Sequence, residues 1–176
     1  GGGKQNGKTE AFHLLHRAYD ASLLFEEFKA AISLLDKPLA DTFKLEDVIE
    51  FVAKSYRHGL AAEGISKTNH TDALGDYNIA RSPTAAFQSF ILILTALLKH
   101  DVVVPEHPVC FGMGTGAGEE DMFNTLMFRM LKGSANSKLQ WLGRTRIIGI
   151  DITKGCIDRA IEARSIEIPV EDQQYV

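Results

Sequence analysis

The chain has 176 residues, 45% of them hydrophobic and 24% charged, which is the balance of a packed globular protein and excludes a disordered or fibrous one. A formal net charge of -4 gives no broad basic field, so nucleic acid is not excluded as a partner but would need a local patch. Two cysteines, Cys110 and Cys156, cannot make a disulfide framework, and their apolar surroundings suggest small buried thiols in a reducing compartment.

Residues 1–8 are Gly-rich and polar, with no apolar core of the signal-peptide kind, and read as a flexible leader. The most apolar run, Phe87–Leu98, contains Gln88, Ser89 and Thr95 and falls short of the roughly 20 residues that a bilayer span needs. The expectation is a cytoplasmic protein with no membrane partner.

A helix is expected from Thr9, which can cap its first turn, with Phe12, Leu15, Tyr19, Leu23, Phe28, Ile32 and Leu35 at helical spacing until Pro38. A second helix, over 45–62, carries its apolar face on Leu45, Val48, Ile49, Val52, Tyr56 and Leu60, with Gly64 as C-cap. Residues 64–81 lack a period and read as a long loop. A third helix begins at Ser82-Pro83 and runs to Lys99, apolar on nearly every side.

From Val102 the pattern changes. Short apolar runs at 102–104 and 109–111 lead into a glycine cluster and a helix over 118–131. A polar loop over 133–145, a continuous apolar strand over 147–150 and a helix over 154–163 complete the pattern. Helices followed by alternating strand and helix predict an α/β protein. Its N-terminal helical subdomain (9–100) precedes a Rossmann-like parallel sheet (101–176), truncated near its third strand at about 165–170. A partner chain or a further C-terminal segment would then complete the sheet.

The chemistry concentrates in Val109-Cys-Phe-Gly-Met-Gly-Thr-Gly-Ala-Gly-Glu-Glu120, with glycines at 112, 114, 116 and 118 between strand and helix. Such glycines let the chain turn sharply and bring backbone amides to a ligand at the positive end of the following helix. Asp151 ends the next strand, where a carboxylate can accept hydrogen bonds from the ribose hydroxyls of a nucleoside. The plainer reading makes these ordinary strand-to-helix turns, with Asp151 as a helix cap. Gly112-x-Gly114-x-x-Ala117 also meets a relaxed dinucleotide fingerprint, yet that motif places its acid about 20 residues on, and Asp151 lies well beyond.

Gly114-Thr-Gly-Ala-Gly118-Glu-Glu120, a long amphipathic helix and then Ile148-Gly-Ile-Asp151-Ile resemble the class I S-adenosylmethionine methyltransferases, and most of all the CheR-type chemotaxis-receptor methyltransferases. The resemblance covers about residues 108–165 and implies S-adenosylmethionine as cofactor and methyl transfer to an oxygen or nitrogen nucleophile of a protein or small molecule. It implies a cofactor site at Gly112, Gly114, Thr115, Gly116, Gly118, Glu119, Asp151 and Ile152. In it Glu119 faces the methionine part and Asp151 the ribose. The family's Pro-Tyr-Ser is replaced by Asp121-Met122-Phe123, and its Thr-x-Phe-Phe-Arg stretch has no counterpart over 77–87. No catalytic residue follows from these motifs. The alternatives are a non-catalytic scaffold with a vestigial nucleotide site, or a nicotinamide-dinucleotide domain.

Two weaker signals remain. Gly2-Gly-Lys-Gln-Asn-Gly7-Lys8-Thr9 satisfies the P-loop expression, but a phosphate cradle needs a preceding strand, so a leader ending in a helix cap is simpler. His13 and His16 lie at i, i+3 without an evident third ligand, and no metal is expected.

Overall fold

A computed structural model of the chain describes residues 2–69, 82–116, 118–163 and 173–176. In order come α1 (Gly2–Ser33), α2 (Lys37–Ala40), α3 (Leu45–Asn69), α4 (Ser82–Lys99), β1 (Val109–Met113), α5 (Glu119–Arg129), α6 (Ser137–Leu142), β2 (Arg146–Ile150), α7 (Lys154–Ala163) and β3 (Gln173–Tyr175). The α/β class expected from the sequence is present. The strands make one small parallel sheet in the order β1-β2-β3.

The aromatic side chains explain how the helices assemble. Phe28 of α1 stacks on Phe43 at 5.2 Å between ring centroids and meets Phe90 of α4 edge-on at 5.8 Å. Phe90 in turn meets Phe128 of α5 edge-on at 4.9 Å. Such offset and edge contacts exploit the ring quadrupoles in addition to the area buried. Phe123, Met127 and Leu131, from α5 and its C-terminal side, belong to the same buried cluster as Phe28 and Ile32 of α1. The helical segment and the segment of the glycine loop therefore share one core. Asp36 reinforces this at the α1–α2 corner, accepting from Leu39 N–H (3.1 Å), Ser134 Oγ (2.7 Å) and Ala135 N–H (3.0 Å). Those bonds, Ser134's foremost, hold its carboxyl below the ordinary aspartate range.

Several local expectations change. The helix begins at Gly2, not Thr9, so residues 2–8 are helical and Thr9 lies inside the helix. Once the packed turns around Phe25–Ile32 nucleate α1, each further residue adds a hydrogen bond at little cost, and the helix propagates backward. The P-loop expression consequently takes a helical form that cannot wrap a phosphate. Phe28 and Ile32 are buried as expected, joined by Ala21 and Phe25, whereas Phe12, Leu15, Tyr19 and Leu23 are exposed. α3 continues through Gly64 to Asn69, since one interior glycine costs only about 1 kcal/mol against the packing of α3 on α1, α5 and α7. The rest of the expected loop, 70–81, lies outside the described residues, as does the expected third strand at 165–170.

The polar stretch 133–145 contains α6, capped by Asn136 Oδ1 accepting from Leu139 N–H at 3.2 Å, with Leu139 and Leu142 buried and Trp141 packed against the core. Residues 102–104 are not a strand, although Val104 is buried. Cys110 is exposed rather than a buried thiol, because β1 forms the sheet edge.

Parallel register pairs Cys110 with Ile147 and Gly112 with Gly149 on one face, and Phe111 with Ile148 and Met113 with Ile150 on the other. The first face turns to α5, whose Asp121 lies directly over Gly112, and Ile147 is buried there. On the second face Val109, Phe111 and Met113 are exposed. Among the described residues no helix is long and apolar enough to cross a membrane.

Candidate functional site

Beyond Met113 the β1–β2 ladder continues by one bond, Thr115 N–H to Ile150 O at 2.9 Å. The chain then breaks away through three glycines with positive φ: Gly114 (67°), Gly116 (56°) and Gly118 (82°). In this left-handed region a Cβ crowds the backbone, so the glycines are required by the turn and not merely tolerated. Gly118 N–H closes the turn on Thr115 O at 2.9 Å, and Gly118 is the N-cap of α5 without a side-chain cap bond.

Asp151 reaches back to this loop. Its Oδ2 accepts from Gly116 N–H at 2.8 Å, while Oδ1 accepts from Thr153 N–H at 2.8 Å just ahead of α7. The strand-end carboxylate thus fixes the glycine loop and the entry to α7 together. Ser55 of α3, fully buried, donates from Oγ to Glu119 O at 2.9 Å and ties the helical segment to the first turn of α5.

A cavity of about 330 Å³ opens beside β1, lined by residues 110–116, Glu119, Glu120, Asp121 and Asn124 of α5, Ile93 of α4 and Ile147. Five of the expected cofactor residues line it: Gly112, Gly114, Thr115, Gly116 and Glu119. Gly118 acts one step removed, as the cap. Asp151 is joined to the lining through Gly116. Ile152 does not line the cavity. Its side chain is fully solvent-exposed, thrown outward between Asp151 and Thr153 where the local carboxylate-to-amide turn forms.

The residue that sequence reasoning passed over is Asp121. A carboxylate in the first turn of a helix is ordinarily accounted for by the helix dipole, but Asp121 is buried against Gly112, where a Cβ would overlap its Oδ1. It also accepts a hydrogen bond from Thr115 Oγ1. Burial first, and then the charges of Glu120 and Glu119, push its pKa up to about 7. Partial desolvation at the cavity wall, and then Glu119, raise Glu120 as well; at Cys110, which keeps its solvent contact, partial desolvation and then Asp121 raise the thiol. The available signal was Gly112 itself, a glycine inside a strand where no turn requires one. Asn124 Oδ1 is buried at the cavity and has no hydrogen-bond partner among the described residues.

Chemically, this is a pocket of backbone amides and acceptor oxygens. Among the described residues no group of three or more His, Cys, Asp or Glu is placed to hold a metal ion. No family model, curated protein or solved structure matches the chain.

Proposed function

We propose that the cavity binds S-adenosylmethionine and that the chain is a Rossmann-like, class I methyltransferase segment serving methyl transfer to an oxygen or nitrogen nucleophile. The cofactor would supply an electrophilic methyl group on a sulfonium centre. The observation that carries this reading is the acidic wall, in which Glu119, Glu120 and Asp121 occupy the first turn of α5 and all line the cavity. A pyrophosphate would meet these three carboxyls at close range, which disfavours the dinucleotide reading. A ligand with an ammonium and a sulfonium is favoured by the same charges, while the loop amides remain suited to its carboxylate. Glu119 and Asn124 Oδ1 would accept from the ammonium. Asp151 would take the ribose hydroxyls with the lone pairs left over from Gly116 and Thr153, each carboxylate oxygen having room for a second bond. The chain's own task is alignment of the acceptor and exclusion of water.

One observation favours a second reading. Both oxygens of Asp151 already serve backbone amides, as they would in a scaffold whose nucleotide site is vestigial. Titration calorimetry with S-adenosylmethionine and with its demethylated product separates the two. The methyltransferase reading expects binding that Asp151→Ala weakens at least about tenfold, since each charge-assisted bond is worth about 1.5–3 kcal/mol. Gly116→Val should abolish it, because valine cannot hold a φ of 56°. Binding without turnover of any acceptor supports the scaffold, and absence of binding to wild-type protein rejects both.

A further inference from the structure

α1 is apolar on two opposite sides. One side, Ala21, Phe25, Phe28 and Ile32, is buried in the core. On the other, Phe12, Leu15, Tyr19 and Leu23 are 61–71% exposed, and at 100° per residue these four fall within one narrow stripe. One buried face is enough to hold a surface helix on its core, so the second stripe is more than the core packing of α1 uses among the described residues. Scattered exposed apolar residues are ordinary, but a continuous helical stripe is the seam that a second helix covers.

The charge pattern of α1 selects the occupant. Up to Arg17 its sequence holds Lys4, Lys8 and Arg17 against Glu10, whereas from Ala18 it holds Asp20, Glu26 and Glu27 against Lys29. The helix is basic in its first half and acidic in its second, and the reversal falls at the middle of the apolar stripe. A second α1 laid antiparallel brings Leu15 of one copy to Tyr19 of the other, and Phe12 to the Ser22–Leu23 turn. It also sets position 8 against position 26. Because the contact is isologous, every complementary pair occurs twice. Parallel pairing would instead place like charges side by side. Helix macrodipoles also favour the antiparallel arrangement. Two copies of this stripe would bury roughly 1,000 Å², the lower end of specific interfaces, so the association is of modest affinity.

We infer that the protein self-associates as an antiparallel dimer through the Phe12–Leu23 stripe of α1. The stripe lies on a different element from the glycine loop, and the inference stands apart from the cofactor reading. Sedimentation equilibrium of the whole chain should show a monomer–dimer equilibrium. Leu15→Glu should weaken it by at least about a hundredfold, because a carboxylate is buried twice in an apolar seam, with the melting temperature unchanged at this exposed position. Glu26→Lys should weaken it roughly threefold to tenfold at low salt, and adding Lys8→Glu should restore it. Orientation is read by disulfide trapping. A mixture of Leu15→Cys and Tyr19→Cys chains should cross-link between the two introduced thiols, located by peptide mapping, more readily than either variant with itself. A wild-type chain that stays monomeric at high concentration overturns the inference. A dimer indifferent to Leu15→Glu, or trapping of each variant mainly with itself, does so as well. If Leu15→Glu proves unfolded, Leu15→Ser read by the same measurement decides.

Discussion

The helical core and the glycine-loop edge of the sheet are built on opposite principles. Around Phe28, Phe43, Phe90 and Phe128 large side chains are buried in edge and stacked contacts, and the polar groups nearby, such as Asp36, are well paired. At the loop three residues stand in the left-handed region, β1 exposes Phe111 and Met113, and three carboxyls crowd a single helical turn. The core supplies the stability that holds such a loop in place, and unfavourable local geometry of this sort persists only where the surroundings over-determine it. Ser55 and Asp151 are the two fasteners. One joins α3 to the start of α5, and the other joins the loop to the start of α7.

The contrast can be broken most directly from the core side. Phe28→Ala removes a fully buried ring that packs on Phe43 and Phe90 and should cost about 3–5 kcal/mol in urea unfolding. On the proposed reading of the cavity, affinity for S-adenosylmethionine measured on the folded fraction should stay the same. An equal loss of affinity would mean that core and loop are one cooperative unit.

Next in size is the titration of Asp121. Its folded pKa of about 7 lies above the ordinary aspartate value of 3.8, so between these limits the native state holds a proton that the unfolded chain has released. Its contribution to stability is therefore present at low pH and is lost as pH rises, by up to about 1.4 kcal/mol per pH unit between roughly 4 and 7. Asp121→Asn should flatten the pH dependence of unfolding in that window and be the more stable protein at pH 7. Parallel pH profiles for the two proteins would show that Asp121 titrates normally and that the site is less strained than its geometry implies.

The smallest of the three sharpens the comparison within the well-packed region. A Cβ at Gly143 would overlap the backbone of Lys132, which cannot swing aside as a side chain can. Gly143→Ala should cost about 1–3 kcal/mol by overpacking. Gly133→Ala, at a glycine with open space around its Cβ position, is the control and should change thermal unfolding far less.

What the sequence determined by itself is what short-range periodicity and backbone chemistry decide. α4 and α7 have the bounds expected from capping and apolar spacing. β1 and β2 fall at the expected apolar runs, and the glycine spacing anticipates the positive φ values at Gly114, Gly116 and Gly118. Asp151 at the end of β2 could be placed beside the loop because adjacent parallel strands end on the same side. Tertiary structure alone decided the rest. Spacing could not choose between the two apolar stripes of α1, since both have helical period, and only the aromatic partners Phe43 and Phe90 select the side carrying Phe28. The polar composition of 133–145 concealed α6, whose short apolar face, Leu139 and Leu142, is stabilised by the core and not by its own propensity. Asp121 looked like one more first-turn carboxylate. Its burial over Gly112, and with it the raised pKa, arises only when α5 folds back onto β1, because desolvation depends on what surrounds a group in space and not on its neighbours in the chain.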